Sequence, residues 1–143
     1  MQRLRERGWI EGQNLTVKYS WAEGSSERAS ELATELVRLK VDAIVTYANP
    51  IVIAAKQATS VIPIVFAAAA DPLGTGLVAS LARPGGNVTG LSIQHTDLAG
   101  KHLELLRDLI PGLHRLAIMA NIGNSASVLE MREVQTAART MNI

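Results

Sequence analysis

The chain contains no cysteine, so thiol catalysis, disulfide stapling and thiolate metal sites are excluded at once. Aromatic residues make up only 3% of it, against 48% apolar residues overall. The core must therefore be built from Ala, Val, Ile and Leu, which suits helices packed on a parallel sheet better than a β-sandwich. No apolar run reaches the length of a membrane-spanning helix. The net charge of +1 comes with no basic cluster, so the electrostatic footprint of a nucleic-acid binder is missing and no nucleic-acid partner is expected. Catalytic signatures are missing too. There is no G-x-S-x-G elbow, no Gly-Lys-Ser/Thr phosphate loop and no H-E-x-x-H pair, and the Leu73-Gly74-Thr75-Gly76 stretch lacks the third glycine of a dinucleotide fingerprint. His95, His102 and His114 fall on a connector, a helix and a strand start without metal-ligand spacing, and no cofactor is implied. Met1-Gln2-Arg3-Leu4-Arg5 has no apolar segment behind it, so with Met1 as the true start a cytoplasmic location is expected.

What is present is organised around residues 59–91. Val61 to Ala70 is an apolar run, β-branched at first and all alanine at the end, that reads as a strand buried on both faces. Its four alanines and Asp71-Pro72 are expected to form the exit loop. In open α/β sheets, ligands bind at that C-terminal end. Asp71 is the one carboxylate directly after a buried strand. It either caps backbone amides or touches a ligand, and Asp71→Ala in a full-length relative is expected to harm binding more than folding. Lost affinity indicates contact, whereas a melting point lowered by the few degrees that a lost cap of about 1 kcal/mol causes, with affinity unchanged, indicates capping. A short helix at Leu77–Ala82, a turn at Arg83-Pro84-Gly85-Gly86-Asn87 and a strand at Val88–Leu91 follow.

Along the rest of the chain, Gln2–Arg7 reads as a helix end capped by Gly8, and the alternation over Leu15–Tyr19 as a half-buried strand. Ser25-Ser26 starts a helix to Leu39, Ala43–Tyr47 is a strand, and Ile51–Thr59 is a helix with Pro50 in its first turn. Thr96 or Asp97 would cap a helix to Ile110 with the stripe Leu98, Leu105, Leu106 and Leu109. Arg115–Ala120 reads as a strand, and a last helix to about Asn142 shows the face Met131, Val134, Ala138 and Met141. This alternation predicts an α/β fold, a doubly wound parallel sheet with right-handed crossovers, helices on both faces, and Ile64–Phe66 near the middle.

The order of several short motifs carries a resemblance. They are Glu11-Gly12-Gln13-Asn14, Tyr19-Ser20-Trp21-Ala22-Glu23-Gly24, residues 31–37 (ELATELV), residues 54–59 (AAKQAT), residues 62–66 (IPIVF), Asp71-Pro72 and, most specific, residues 76–90 (GLVASLARPGGNVTG). Together they resemble the substrate-binding protein family of ABC transporters that includes the tryptophan-uptake binding proteins. The resemblance implies a type I periplasmic-binding-protein fold: two flavodoxin-like lobes, a hinge, and a small amino-acid-like solute held between them for an ABC permease. It implies an extracytoplasmic place for a full-length member, behind a signal or lipoprotein segment. It also implies that residues 1–95 are a first lobe lacking its first strand, and that 96–143 hold the crossover helix plus the first strand and helix of the second lobe.

Site residues are carried over the same way. Thr46, Tyr47, Ala48 and Asn49 would leave one strand, Ala69, Ala70 and Asp71 the next. Ser92 would lie at the crossing between lobes, and Asn121 and Asn124 on the second-lobe side. Small alanines would admit a flat ligand, Tyr47 would stack on it or pack as wall, and Asn49 would hydrogen-bond it or act as a cap. The absent first strand would leave a central slot between Leu15–Tyr19 and Ala43–Tyr47. Arg115–Ala120 is expected to fill it, within its own chain or by exchange in a homodimer. An enzyme on a flavodoxin-like sheet, or a sensor lobe of the kind fused to DNA-binding domains, are the other readings.

Overall fold

A computed structural model of the chain describes residues 2–93 and 98–143. The order is α1 (Gln2–Glu6), α2 (Ser26–Arg38), β1 (Ile44–Thr46), α3 (Asn49–Ala58), β2 (Ile64–Ala70), β3 (Val88–Ile93), α4 (Ala99–Leu109) and α5 (Ser125–Thr140). The three strands form one parallel sheet in the order β1-β2-β3, with Ile44 level with Ile64 and Ile64 level with Val88. The α/β class and the central place of Ile64–Phe66 are as expected.

Local chemistry sets the elements. Ser25 stands before α2 in extended conformation and its Oγ accepts from the Arg28 N–H at 3.2 Å. The same hydroxyl donates to Glu27, whose carboxyl is held below its ordinary range first by a backbone N–H and then by Ser25. Ala29 and Ala33 are buried where α2 packs on α3. Pro50 needs no N–H partner in the first turn of α3, and Val52 and Ala55 join Ile44, Ile64, Phe66, Ala69, Leu77, Val78 and Val88 in the core. Along β1 and β2 burial alternates: Ile44, Ile64 and Phe66 are inside, and Val45 (75% exposed) and Val65 face outward. Helix α3 therefore packs on one face with α2 against α3, and the face carrying Val45, Val65, Thr89 and Leu91 is open among the described residues.

Five expectations are corrected. The alanines do not leave the strand: Ala67–Ala70 continue β2 because β3 pairs alongside, Ala69 with Ser92 and Ala70 with Ile93, past a register shift after Phe66. Leu77–Ala82 is not helical. Lys56 Nζ claims the carbonyls of Gly76 and Leu77 at 2.7 and 3.1 Å, and Ala79 N–H turns to Pro84 O, so the acceptors and donor of a first turn are spent elsewhere. Leu15–Tyr19 forms no ladder strand; only Leu15 makes a single bridge, to Glu11. Arg115–Ala120 lies outside the sheet, so it does not fill a slot within its own chain. Helices α4 and α5 pack on each other and hold the run between them apart. Last, α4 buries Ala99 and Leu103 rather than the leucine stripe, since the small-residue side (Gly100 near Ala137) approaches α5; Leu98, Leu105 and Leu109 are exposed. Thr96, Asp97 and His95 lie outside the described residues.

Candidate functional site

The C-terminal edge of the sheet gathers most of the residues singled out above. Thr46 is the last residue of β1, Tyr47 follows it at 65% exposure, and Ala48 N–H donates to Ala68 O at 3.0 Å. Ala69, Ala70 and Ser92 lie in register on β2 and β3, and Asp71 N–H reaches Ile93 O. Residues 46–49, 68–71 and 92–93 thus make one continuous rim.

Asn49 binds the rim together. It is 2% exposed, and its Nδ2 donates to Ala70 O at 2.7 Å and to Thr75 Oγ1 at 3.2 Å. Its Oδ1 accepts from Ala70 N–H at 2.9 Å. The side chain therefore reads β2's end as a further strand would, and it positions the rim rather than capping α3, whose start carries no side-chain cap. Asp71 Oδ1 accepts from Gly74 N–H at 2.9 Å, and its carbonyl takes Thr75 N–H and Oγ1. Its carboxylate closes the turn 71–75, and no helix follows for it to cap. Thr75, four residues beyond Asp71, is the rim member that sequence reasoning overlooked.

Two rim residues hold unusual backbone. Ala48 has φ +64° and Asp71 φ +39°, the left-handed region that costs a residue with a Cβ about 1 kcal/mol or more. They end neighbouring parallel strands, and backbone strain of this kind clusters where a surface must be shaped for binding. Asn121 and Asn124 stand apart from the rim's bonds. Asn121 Oδ1 accepts from Gly123 N–H, and Asn124 caps α5 through Ala126 N–H at 3.1 Å. A shallow cavity of about 390 Å³, lined by Lys56, Leu77, Pro84 and Val88 among others, lies at the opposite end of the sheet where β3 begins. Among the described residues no His, Cys, Asp and Glu group could hold a metal ion.

The family model for the ABC transporter substrate binding protein matches residues 1–143. The chain belongs to that family. A tyrosine-binding protein of Clostridioides difficile is 31% identical over 139 residues, 97% of this chain and 40% of its own length. Among solved structures, a conserved domain protein from Vibrio cholerae is 34% identical with a TM-score of 0.88, over 99% of this chain and 47% of its own. The ABC domain from Streptococcus pneumonia in complex with L-Trp is 27% identical with a TM-score of 0.86, again over 99% and 47%. The chain spans about half the length of the proteins it matches or less. In this family member the long motif at residues 76–90 is structural. Asn87 Nδ2 donates to Thr59 O at 3.1 Å and Ile62 O at 2.7 Å, which anchors the turn before β3, and no rim residue comes from it. No described helix is long and apolar enough to cross a membrane.

Proposed function

We propose that this chain supplies one wall of a site that reversibly binds a small amino acid, with tyrosine and tryptophan the first candidates, and that no bond is made or broken there. The observation that carries the reading is the rim itself: strained, small-residue backbone at the C-terminal ends of β1 and β2 beside an exposed Tyr47, in a chain of a substrate-binding family. The alanines leave backbone open to a flat side chain, Tyr47 gives it a ring to stack on, and Asn49 and Asp71 fix the rim from behind. The binding of tyrosine and L-Trp by two relatives supports the ligand class. Within the whole polypeptide the solute would pass to an ABC permease on the outer side of the cytoplasmic membrane. Ser92 would lie toward the second wall, with Asn121 and Asn124 on it.

Amide chemical shifts test this. Titrating L-tryptophan or L-tyrosine into the isotope-labelled chain is expected to move the resonances of residues 46–49 and 69–71 in a saturable way, with glycine and a sugar as inert controls. Shifts confined to the cavity at the other end of the sheet, or none at millimolar ligand, would refute it.

A further inference from the structure

Helix α3 holds the segment that leaves the rim at two points. Asn49 and Lys56 stand seven residues apart on it, nearly two turns, and so share the face on which Val52 is buried. They begin about 10 Å apart along the axis, yet the groups they hold adjoin, because a helical side chain tilts back toward the N-terminus. Asn49 Nδ2 donates to Ala70 O and to Thr75 Oγ1. Lys56 Nζ donates to the carbonyls of the next two residues, Gly76 at 2.7 Å and Leu77 at 3.1 Å. Among the described residues no carboxylate pairs with Lys56, so its charge is spent on these carbonyls.

Thr75 joins the two holds. Its N–H and its Oγ1 both go to Asp71 O, at 3.0 and 2.7 Å, and the same Oγ1 accepts from Asn49. Leu77, at 3% exposure, anchors the far end of the segment in the core. Gly76 lies between, with φ +69° and nothing within 4 Å of its would-be Cβ. A glycine without packing turns freely, so the core contact of Leu77 does not fix the peptides on either side of it. The two bonds from Lys56 do.

We infer that Lys56 is a positioning residue for the rim: by holding the carbonyls of Gly76 and Leu77 it keeps Thr75 where its hydroxyl meets Asn49 and Asp71, and so shapes a surface that it does not touch. The bond from Asn49 Nδ2 to Thr75 Oγ1, at 3.2 Å, is the longest of those closing the rim and yields first when Lys56 lets go. Asp71, held at φ +39° by the same turn, then relaxes toward ordinary backbone. The effect of Lys56 on ligand affinity rests on the ligand reading above; its effect on the rim does not.

Lys56→Met keeps the stem and removes the ammonium, and Lys56→Arg keeps a cation; the side chain is exposed, so both variants should fold. Amide hydrogen exchange without ligand reads the rim directly. Lys56→Met is expected to speed exchange at Ala70 and Thr75 several-fold while α5 keeps its native rates, and Lys56→Arg to restore the rim. L-Tryptophan affinity, measured well below the melting temperature, should fall about tenfold in Lys56→Met and recover in Lys56→Arg. Thr75→Val removes the shared hydroxyl, and on that background Lys56→Met should add little further acceleration at Ala70. A lysine that served stability alone would speed all the slow amides together and leave affinity unchanged. Native exchange at the rim in Lys56→Met, acceleration spread evenly over the chain, no rescue by arginine, or equal losses with and without the Thr75 hydroxyl each overturn the positioning role. A rim that loosens as expected in a chain that binds no L-tryptophan overturns the ligand reading and leaves the positioning role standing.

Discussion

Replacing Gly90 with alanine is expected to lower the melting temperature by on the order of 10 °C, and replacing it with valine to leave no folded protein. Gly90 pairs with Phe66 across β2 and β3. A Cβ at position 90 would fall on the Phe66 carbonyl oxygen and within 2.6 Å of its ring carbon Cγ. Phe66 cannot give way, because it is 2% exposed at the centre of the core and flanked by Ile64 and Val88. Overpacking a close-packed interior costs about 1–3 kcal/mol, and here the ladder must part as well, so about 3 kcal/mol or more is expected for alanine. Gly86→Ala is the control: nothing lies within 4 Å of its would-be Cβ, so its melting curve should be unchanged. Circular dichroism melts of the three chains check the result. If Gly90→Ala melts with Gly86→Ala, the close approach of β3 to Phe66 is not a constraint.

The contrast between the two glycines shows what was legible in the sequence. The parallel sheet, its central strand and the helices α2, α3, α4 and α5 followed from alternating runs and caps such as Ser25, because each of those signals is local. Pairing partners are not local. Leu15–Tyr19 and 115–120 both carry strand patterns, and in the structure both are without a ladder. Periodicity describes what a segment could bury, not whether a neighbour is there to receive it. The failure at Leu77–Ala82 has the same origin, since Lys56, more than twenty residues away, takes the carbonyls a helix would have used.

For the rim, the sequence placed residues 46–49 and 69–71 together correctly, from the rule that parallel strands end on one side. It did not show which of those side chains face inward. Asn49 and Asp71 look alike on paper, each a polar residue after an apolar strand. Only the structure shows that the Asn49 amide is buried with its donors and acceptor spent on Ala70 and Thr75, while the Asp71 carboxylate turns to a nearby exposed amide.

That difference sets the last expectation. Asn49→Asp should be strongly destabilising at neutral pH and should recover part of the loss in acid. As a carboxylate, residue 49 would still accept from Ala70 N–H but would set a second oxygen against Ala70 O and Thr75 Oγ1 where Nδ2 now donates. It would also place an unpaired charge at a position 2% exposed. The cost at pH 7 is expected to be about 3–5 kcal/mol. Burial disfavours the charged form, so the folded-state pKa of the new carboxyl lies above its unfolded value of about 3.9. Folding then takes up a proton as pH falls. The penalty is least below about pH 4, where both states are protonated and the neutral acid can donate to Ala70 O as the amide did. It grows as pH rises through the folded pKa and is complete above it. Asn49→Leu, which empties the same position of polar atoms and strands the Ala70 N–H and C=O, should cost about 2–4 kcal/mol with no such pH dependence beyond that of the native chain. Urea unfolding of the three chains at pH 4.5 and pH 7 reads both effects. Equal losses for the two variants at both pH values would mean that the position is filled by volume alone, and that the rim is held in shape by something other than the Asn49 amide.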